Sequence, residues 1–311
     1  MQNITEEGVH EATADEAWQE SVFLAWYDAK KGIGGIHRIG IETNQGVSNM
    51  WCGVFREGGA RFRLNQDQVP LEHYPEGKGF ICGPQRLFHD DSAVRWQLDT
   101  PDCEVELEVV DHATGDLWTG ASDSVASVAT TGHYHFHCAV KGRVRLGNEE
   151  FEVSAHGWRD HSWGPRHWDA ILHHRCFSGF FEEGVSADFG SLLDAKGALS
   201  RYGTIVRDGK MEVVEDYSFT VSIDDDGLTA QRADVVGTLP DGQPFSGRFD
   251  LAEGVVVQTR EYVGLEAVGT ITMSTGESGF GYMAVSNNAR GGRAYPPLAI
   301  HAIGENGFFP G

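Results

Sequence analysis

Apolar and polar residues alternate with a period of two along most of this chain. In Val94–Leu98 and Val105–Val109, apolar side chains alternate with charged or amide side chains. The alternation also holds at Ala60–Leu64, where the polar residues are arginines, and at Tyr217–Ser222, where they are Ser and Thr. Such alternation is typical of antiparallel strands with one buried face and one wet face. It therefore predicts a mainly β protein.

The second half of the chain contains three dipeptides that favour tight hairpin turns: Asp208-Gly209, Asp226-Gly227 and Asp241-Gly242. Both halves read as meandering strands, and such sheets hide their edges by closing into barrels or packing as sandwiches. We therefore predict two consecutive antiparallel β-barrel or sandwich domains, residues 1–170 and 171–311. Residues 12–20 are the exception, since they favour a short helix.

Charge and cysteine usage exclude several classes of protein. The 24 basic and 46 acidic residues give a net charge of −22, which argues against nucleic acid or an anionic membrane as a partner. The longest apolar run, Val22–Tyr27, is too short to span a bilayer, and the acidic N-terminus does not resemble a secretory signal. Five cysteines without a CxxC pair suit free thiols in a reducing compartment. We expect a cytoplasmic protein; whether it forms a homo-oligomer stays open.

The segment His156–Trp168, HGWRDHSWGPRHW, concentrates the residues that carry chemistry. Eight of the 14 histidines lie between His133 and His174, and three of the eight tryptophans lie in the same stretch. Charged side chains are costly to bury unless they pair. We expect Arg159, Asp160 and His161 to form such a network, sheltered by indole rings. That environment shifts pKa values and can create a general acid or base near neutral pH.

A structural interpretation competes with the catalytic one. Strands rich in Trp, Arg and Asp also serve as latches between domains, and Arg159 and Trp163 suit that role best. Asp160 and His161 are the candidates for contact with a ligand. Three further histidines are expected to be solvated loop residues: His167, His173 and His174.

The run HYHFH forms a second constellation. On a strand, His133, His135 and His137 point to one face and the two intervening aromatic residues to the other. Neighbouring histidines can bind zinc, but three on one strand spread over about 13 Å, so a polar pocket lining is the preferred interpretation. Tyr27, which follows an apolar strand, is expected to line the same cavity or to cap it. No metal site is assigned from these residues.

The run Gly157–Arg166 resembles the G-x-R-D-H-S-W-G-x-R signature of AttH-like, lipocalin-like proteins, which include carotenoid hydratases of the hydroxyneurosporene synthase type. Trp26–Arg56 is similar to the start of their bacterial relatives, and Gly132-His133 lies where those relatives lead into the motif. The resemblance covers most of the chain loosely and is specific over about ten residues.

The resemblance implies two lipocalin-like β domains around a ligand cavity. Family members with known activity hydrate or cyclise apolar polyenes without a metal or organic cofactor, which requires an enclosed cavity with few polar groups. The resemblance implies that Asp160 is the catalytic acid and that His161 and Arg166 adjust its pKa. It also implies that Trp163 and Trp158 form cavity walls. Indole faces also stabilise a developing carbocation.

One departure concerns a glutamate that relatives often carry late in the chain after a glycine pair. Here Gly279–Met283 contains none, and Tyr282 is the candidate to replace it. The hypothesis is a cofactor-independent lyase or isomerase that hydrates, dehydrates or cyclises a terpenoid, steroid-like or aromatic substrate. The rivals are a non-catalytic carrier of a hydrophobic molecule and an enzyme with a histidine-bound metal.

Overall fold

The computed structural model describes residues 8–90, 93–112, 116–119, 130–181, 184–207, 210–223, 230–259 and 262–288. Within these residues the chain forms twenty β-strands and no α-helix, so the prediction of a mainly β protein is confirmed. None of the described elements is a helix long and apolar enough to cross a membrane. The turns predicted at Asp208-Gly209 and Asp226-Gly227 lie outside the described residues, whereas Gly242 does form a turn, with φ of 86°.

The first sheet holds eleven antiparallel strands in the order β4-β3-β2-β1-β11-β10-β8-β7-β6-β5, with β9 paired to β10. The strand β5 lies against β2 and β3, so the sheet curls back on itself. Its strands are β1 (Trp18–Asp28), β2 (Ile33–Glu42), β3 (Val47–Arg56), β4 (Arg61–Pro70), β5 (Gly79–Cys82), β6 (Gln85–His89), β7 (Val94–Asp99), β8 (Cys103–Asp111), β9 (Asp116–Thr119), β10 (Gly132–Leu146) and β11 (Glu149–Pro165).

The second sheet holds nine antiparallel strands in the order β15-β14-β13-β12-β20-β19-β18-β17-β16. It also curls, which brings the Tyr217 hydroxyl on β16 within hydrogen-bond distance of two carbonyl oxygens, those of Gly190 on β13 and Tyr202 on β14. Its strands are β12 (Ile171–Phe181), β13 (Ser186–Asp194), β14 (Leu199–Arg207), β15 (Lys210–Val213), β16 (Tyr217–Ile223), β17 (Ala230–Thr238), β18 (Pro244–Thr259), β19 (Tyr262–Met273) and β20 (Ser278–Asn288).

Each sheet encloses its own hydrophobic core. The first core is built from residues such as Leu24, Trp26 and Trp96, and the second from residues such as Phe177 and Phe249. Contacts divide the chain into two compact units between His167 and Trp168. The predicted boundary, between residues 170 and 171, lies three residues further along.

The helix predicted for residues 12–20 is wrong. The Asp15 carboxylate accepts a hydrogen bond from the backbone of Ala17 (2.8 Å) and forms a turn, after which β1 begins at Trp18. Local propensity is overridden here because β1 pairs along its length with both β2 and β11. Every residue of β1 is buried, so the strand has no wet face.

Candidate functional site

The signature segment lies at the end of β11, between β1 and β10, and its alternating side chains are divided between two faces of the first sheet. His161 lies opposite Val22 of β1, a residue of the first core, and so belongs to what we call the core face. Asp160 lies opposite Phe23 and belongs to the other face, here called the Asp160 face. The expected network of Arg159, Asp160 and His161 is therefore not formed, since strand geometry points Asp160 away from its two neighbours.

On the core face, His161 joins a buried carboxylate to a buried phenol. Its Nε2 lies 2.7 Å from Oε1 of Glu20, and its Nδ1 lies 2.9 Å from the hydroxyl of Tyr134. The Glu20 carboxylate also contacts His10 Nδ1 at 2.7 Å and accepts a hydrogen bond from the His10 backbone. Burial by itself raises the pKa of Glu20, but the hydrogen bonds and charges of His10 and His161 outweigh it and lower that pKa.

Arg159 lies on the same core face and pairs with Asp111 of β8. Its Nε and Nη2 donate to the two carboxylate oxygens at 2.7 and 2.6 Å. Its guanidinium lies 4.8 Å from the ring centre of Phe136 and 5.7 Å from that of Tyr134. This is the bidentate geometry in which Arg binds carboxylates most strongly.

Trp163 also lies on the core face, so it cannot be a wall of a cavity around Asp160. Its ring stacks on His10, with centroids 3.9 Å apart and planes 10° from parallel. A side chain at Gly132, directly opposite on β10, would overlap the Trp163 ring. The indole therefore occupies the space that Gly132 leaves open.

The Asp160 face carries a row of side chains that crosses five strands. Asp160 is opposite His135 of β10 on one side and Phe23 of β1 on the other, and the row continues to Arg38 on β2 and Trp51 on β3. Phe23, Arg38 and Trp51 are buried, whereas His135 and Asp160 are partly buried. The row thus places one carboxyl group between an imidazole and a phenyl ring.

Aromatic rings and imidazoles surround this row. Phe23 makes edge contacts with Trp51 and Trp158, both with centroids 5.7 Å apart. Trp158 stacks on His135 at 5.4 Å, and His135 Nδ1 lies 3.3 Å from His133 Nε2. The prediction that the histidines of the HYHFH run share one face is confirmed, because all three lie opposite residues of the Asp160 face.

Arg166 returns to the Asp160 face from beyond the end of β11. Its Nη2 donates to the Ser162 hydroxyl at 2.7 Å. Burial raises the pKa of Asp160 to about 6, although the charges of Arg166, His135, Arg38 and Arg159 act in the opposite direction. Within the part of the chain that the structure describes, no hydrogen bond involves the Asp160 carboxyl group.

Of the remaining predicted residues, Tyr27 belongs to the first unit and Tyr282 to the second. Tyr27 is on the same face as Asp160 but four residues along the sheet, about 13 Å away, and donates to Glu57 at 2.5 Å. Tyr282 belongs to the second unit, where its hydroxyl donates to Glu266 at 2.5 Å. His173 and His174 lie on β12 and are partly buried, contrary to the expected solvated loop. His167 has a side chain that is 48% exposed and fits that expectation.

Several residues of these two faces were missed by sequence reasoning: His10, Glu20, Arg38, Trp51, Asp111 and Tyr134. Glu20 could have been recognised from the sequence. With a period of two, it shares a strand face with the buried apolar residues Trp18, Val22 and Leu24. A carboxylate at such a position needs a buried partner. Its partner, His161, lies 141 residues away and follows only from the pairing of β1 with β11.

Gly164 lets the chain leave β11 so that Arg166 reaches back to Ser162. Its φ of 129° is a conformation that side chains disfavour, and an added Cβ would lie 2.4 Å from the Thr131 backbone nitrogen. We expect Gly164→Ala to destabilise the protein by more than the roughly 1–2 kcal/mol that a left-handed conformation alone costs. Urea unfolding measures the difference.

Gly147→Ala is the matched control for this substitution. Gly147 has a φ of 60°, but a Cβ there would meet no atom within 4 Å. Its replacement therefore carries the conformational cost without the overlap. Equal losses of stability in the two variants would contradict the close approach of Thr131.

Comparison with known proteins places the chain in a family. The model of a domain of unknown function, DUF7064, matches residues 3–289. The chain belongs to the DUF7064 family. No curated protein sequence matches this DUF7064 chain.

Solved structures share the fold of this DUF7064 protein. A candidate AttH from Nitrosomonas europaea matches with a TM-score of 0.68 and 11% identity, over 93% of this chain and 97% of the other. Kievitone hydratase from Nectria haematococca gives 0.63 and 9% identity, over 86% and 88%. CghA with Sch210972 gives 0.61 and 12% identity, over 92% and 96%. The predicted lipocalin-like β fold of the AttH type is confirmed.

Proposed function

We propose that this protein is an enzyme of the lyase or isomerase class that adds water to, removes water from, or cyclises an apolar substrate. The substrate is a terpenoid, steroid-like or aromatic molecule, and Asp160 is the general acid and base. The chemistry needs no organic cofactor, because one carboxyl group can both give and take the proton.

The observation that carries this proposal is the state of the Asp160 carboxyl group. It is partly buried between His135 and Phe23 and engages in no hydrogen bond among the described residues. Its pKa, raised by burial to about 6, lies near the pH at which a carboxyl group can both donate and accept protons. A carrier of hydrophobic molecules has no need for a carboxyl group perturbed in this way.

The side chains around Asp160 suit an apolar substrate. Phe23, Trp51 and Trp158 offer ring faces and edges, which can also stabilise a carbocation. His133 and His135 can donate or accept hydrogen bonds at polar groups of the substrate. Arg166, held by Ser162, keeps a positive charge near the carboxylate that forms when Asp160 gives up its proton.

Each of the three reactions can be written with Asp160 as the only proton carrier. In dehydration, the acid protonates a hydroxyl oxygen, the C–O bond breaks, and water leaves with the bonding electrons. The Asp160 carboxylate then takes a proton from the adjacent carbon, and its C–H electrons form the double bond. Hydration is the reverse. In cyclisation, the Asp160 acid protonates one alkene and a second alkene attacks the resulting cation. The Asp160 carboxylate then takes a proton from a carbon next to the new cation, and its C–H electrons form a double bond.

The structural neighbours support a hydratase-type activity as the first to test. Kievitone hydratase is named for the addition of water, and CghA was crystallised with the small molecule Sch210972. At 9–12% identity these likenesses establish the fold. Their activities enter here only as support for the proposal.

A substrate panel tests the proposal. The protein is incubated with terpenoid, steroid and aromatic alcohols and alkenes, and products are read by mass spectrometry. A gain or loss of one water molecule, or an isomer of unchanged mass, is expected for at least one compound. Tight binding of a compound that is always recovered unchanged would instead support the carrier and overturn the enzymatic proposal.

A further inference from the structure

We propose that His10, Glu20 and His161 form a binding site for one divalent transition-metal ion, which ties the N-terminal segment to strands β1 and β11. The site lies on the core face, opposite the Asp160 face, and has no part in the proposed reaction. The inference therefore goes beyond the proposed function and does not depend on it.

The donor atoms are already gathered. His10 Nδ1 and His161 Nε2 each lie 2.7 Å from Glu20 Oε1, and the three ligand atoms lie within 4.8 Å of one another. In a tetrahedral zinc site with bonds of about 2.0–2.1 Å, ligand atoms are about 3.3 Å apart. The two contacts to Glu20 need to open by about 0.6 Å to reach that spacing and admit an ion.

The donor set suits a transition metal. Two imidazoles and one carboxylate form the three-ligand set of several catalytic zinc sites and of the facial triads that bind Fe²⁺. Calcium and magnesium prefer sites made of oxygen ligands, so the two imidazoles disfavour them. With three protein ligands, one position or more is left for water.

Charge supplies an independent argument. The Glu20 side chain is fully buried, and among the described residues no Lys or Arg forms an ion pair with it. Its partners are two imidazoles and a backbone N–H. A buried carboxylate is costly unless a positive charge compensates it. A divalent cation supplies that charge without requiring a proton on either imidazole.

The surroundings hold the two imidazoles in orientations that suit metal binding. Tyr134, which is fully buried, contacts the second ring nitrogen of His161 at 2.9 Å, as outer partners of metal-bound histidines commonly do. Trp163 stacks on the His10 ring at 3.9 Å. The His10 side chain keeps 19% of its surface exposed, which gives an ion a path into the site.

Metal binding by the full chain tests this site. Protein dialysed against a chelator is titrated with Co²⁺, followed by absorption spectroscopy, and bound Co²⁺ is then displaced by Zn²⁺. We expect one ion per chain and a cobalt spectrum with nitrogen and oxygen ligands. Zn²⁺ is also expected to raise the melting temperature, because it binds only the folded state.

His10→Gln is the decisive variant, because His10 lies before the first strand and its replacement removes no strand pairing. We expect it to weaken Co²⁺ and Zn²⁺ binding by at least about tenfold, the loss that even an outer partner causes. The matched control is His167→Gln, because His167 is an exposed histidine. This variant should bind Co²⁺ and Zn²⁺ as tightly as the wild type does. Three outcomes would overturn the proposal. The wild type could fail to bind Co²⁺ or Zn²⁺ stoichiometrically, His10→Gln could bind these ions as tightly as the wild type, or binding could be lost only in His135→Gln.

Discussion

Asp160→Asn is expected to lower turnover by about two to four orders of magnitude, the contribution typical of a general acid or base. Asparagine keeps the size of the side chain, so the aromatic contacts around Phe23 and the binding of an apolar ligand should persist. The loss should therefore appear in kcat rather than in KM. Once the panel has supplied a substrate, steady-state kinetics with the two proteins measures it.

The pH dependence of the wild type tests the same assignment. Burial raises the pKa of Asp160 to about 6, so the group is protonated below that pH and ionised above it. If Asp160 acts first as an acid, the rate should fall as the pH rises through about 6. Any residual activity of Asp160→Asn should not show this fall in rate near pH 6.

Stability should change in the opposite sense to activity. The pKa of Asp160 is raised from an ordinary value of 3.8 to about 6. The protonated carboxyl group therefore contributes stability that is present below pH 3.8 and is lost as the pH rises through about 6. Asn stays neutral, so at pH 7 the variant should gain up to about 3 kcal/mol in its free energy of unfolding.

The control for these measurements is Asp99→Asn, at an exposed position on β7. It should not alter turnover. A folded Asp160→Asn protein with full activity would remove Asp160 from the mechanism. Loss of activity in the Asp99 variant would show that the effect is not specific to the site.

A feature of the fold or of the site could be predicted from the sequence only where it depends on residues that are close together in the chain. The period of two in Val94–Leu98 and Val105–Val109 is a local property, and both segments are strands with the predicted faces. The same period already requires Asp160 and His161 to point to opposite faces. A single network of both side chains is therefore incompatible with a strand at this position.

The partners of these residues could not be predicted, because they depend on the pairing of distant strands. Glu20 meets His161 because β1 pairs with β11, and Asp160 meets His135 because β10 precedes β11 in a long hairpin. A shift of one residue in either pairing would exchange the two faces. One sequence without the structure does not fix those registers.

Arg159 provides the largest expected loss of stability. Arg159→Ala removes a bidentate partner of Asp111 and a guanidinium that lies over Phe136. The Arg159 side chain is only 5% exposed, and the carboxylate left behind is 27% exposed. We expect a loss of about 3 kcal/mol, the lower end of the range for a broken buried pair, since Asp111 retains some contact with water.

The comparison with a surface pair decides whether Arg159 has this structural role. Arg143→Ala removes a similar contact to Glu106, but both side chains are more than half exposed, so the cost should be about 0–1 kcal/mol. Arg159→Lys keeps the charge but loses the bidentate geometry. Its loss of unfolding free energy should lie between the losses of Arg159→Ala and Arg143→Ala. Urea unfolding of the three variants gives these free energies.

Because Arg159 points to the core face, its variants should keep their turnover per folded molecule. The pKa of Asp160 should rise slightly when the positive charge of Arg159 is removed. An Arg159→Ala protein as stable as Arg143→Ala would refute the structural role. Loss of turnover without loss of stability would mean that Arg159 acts on the other face of the sheet.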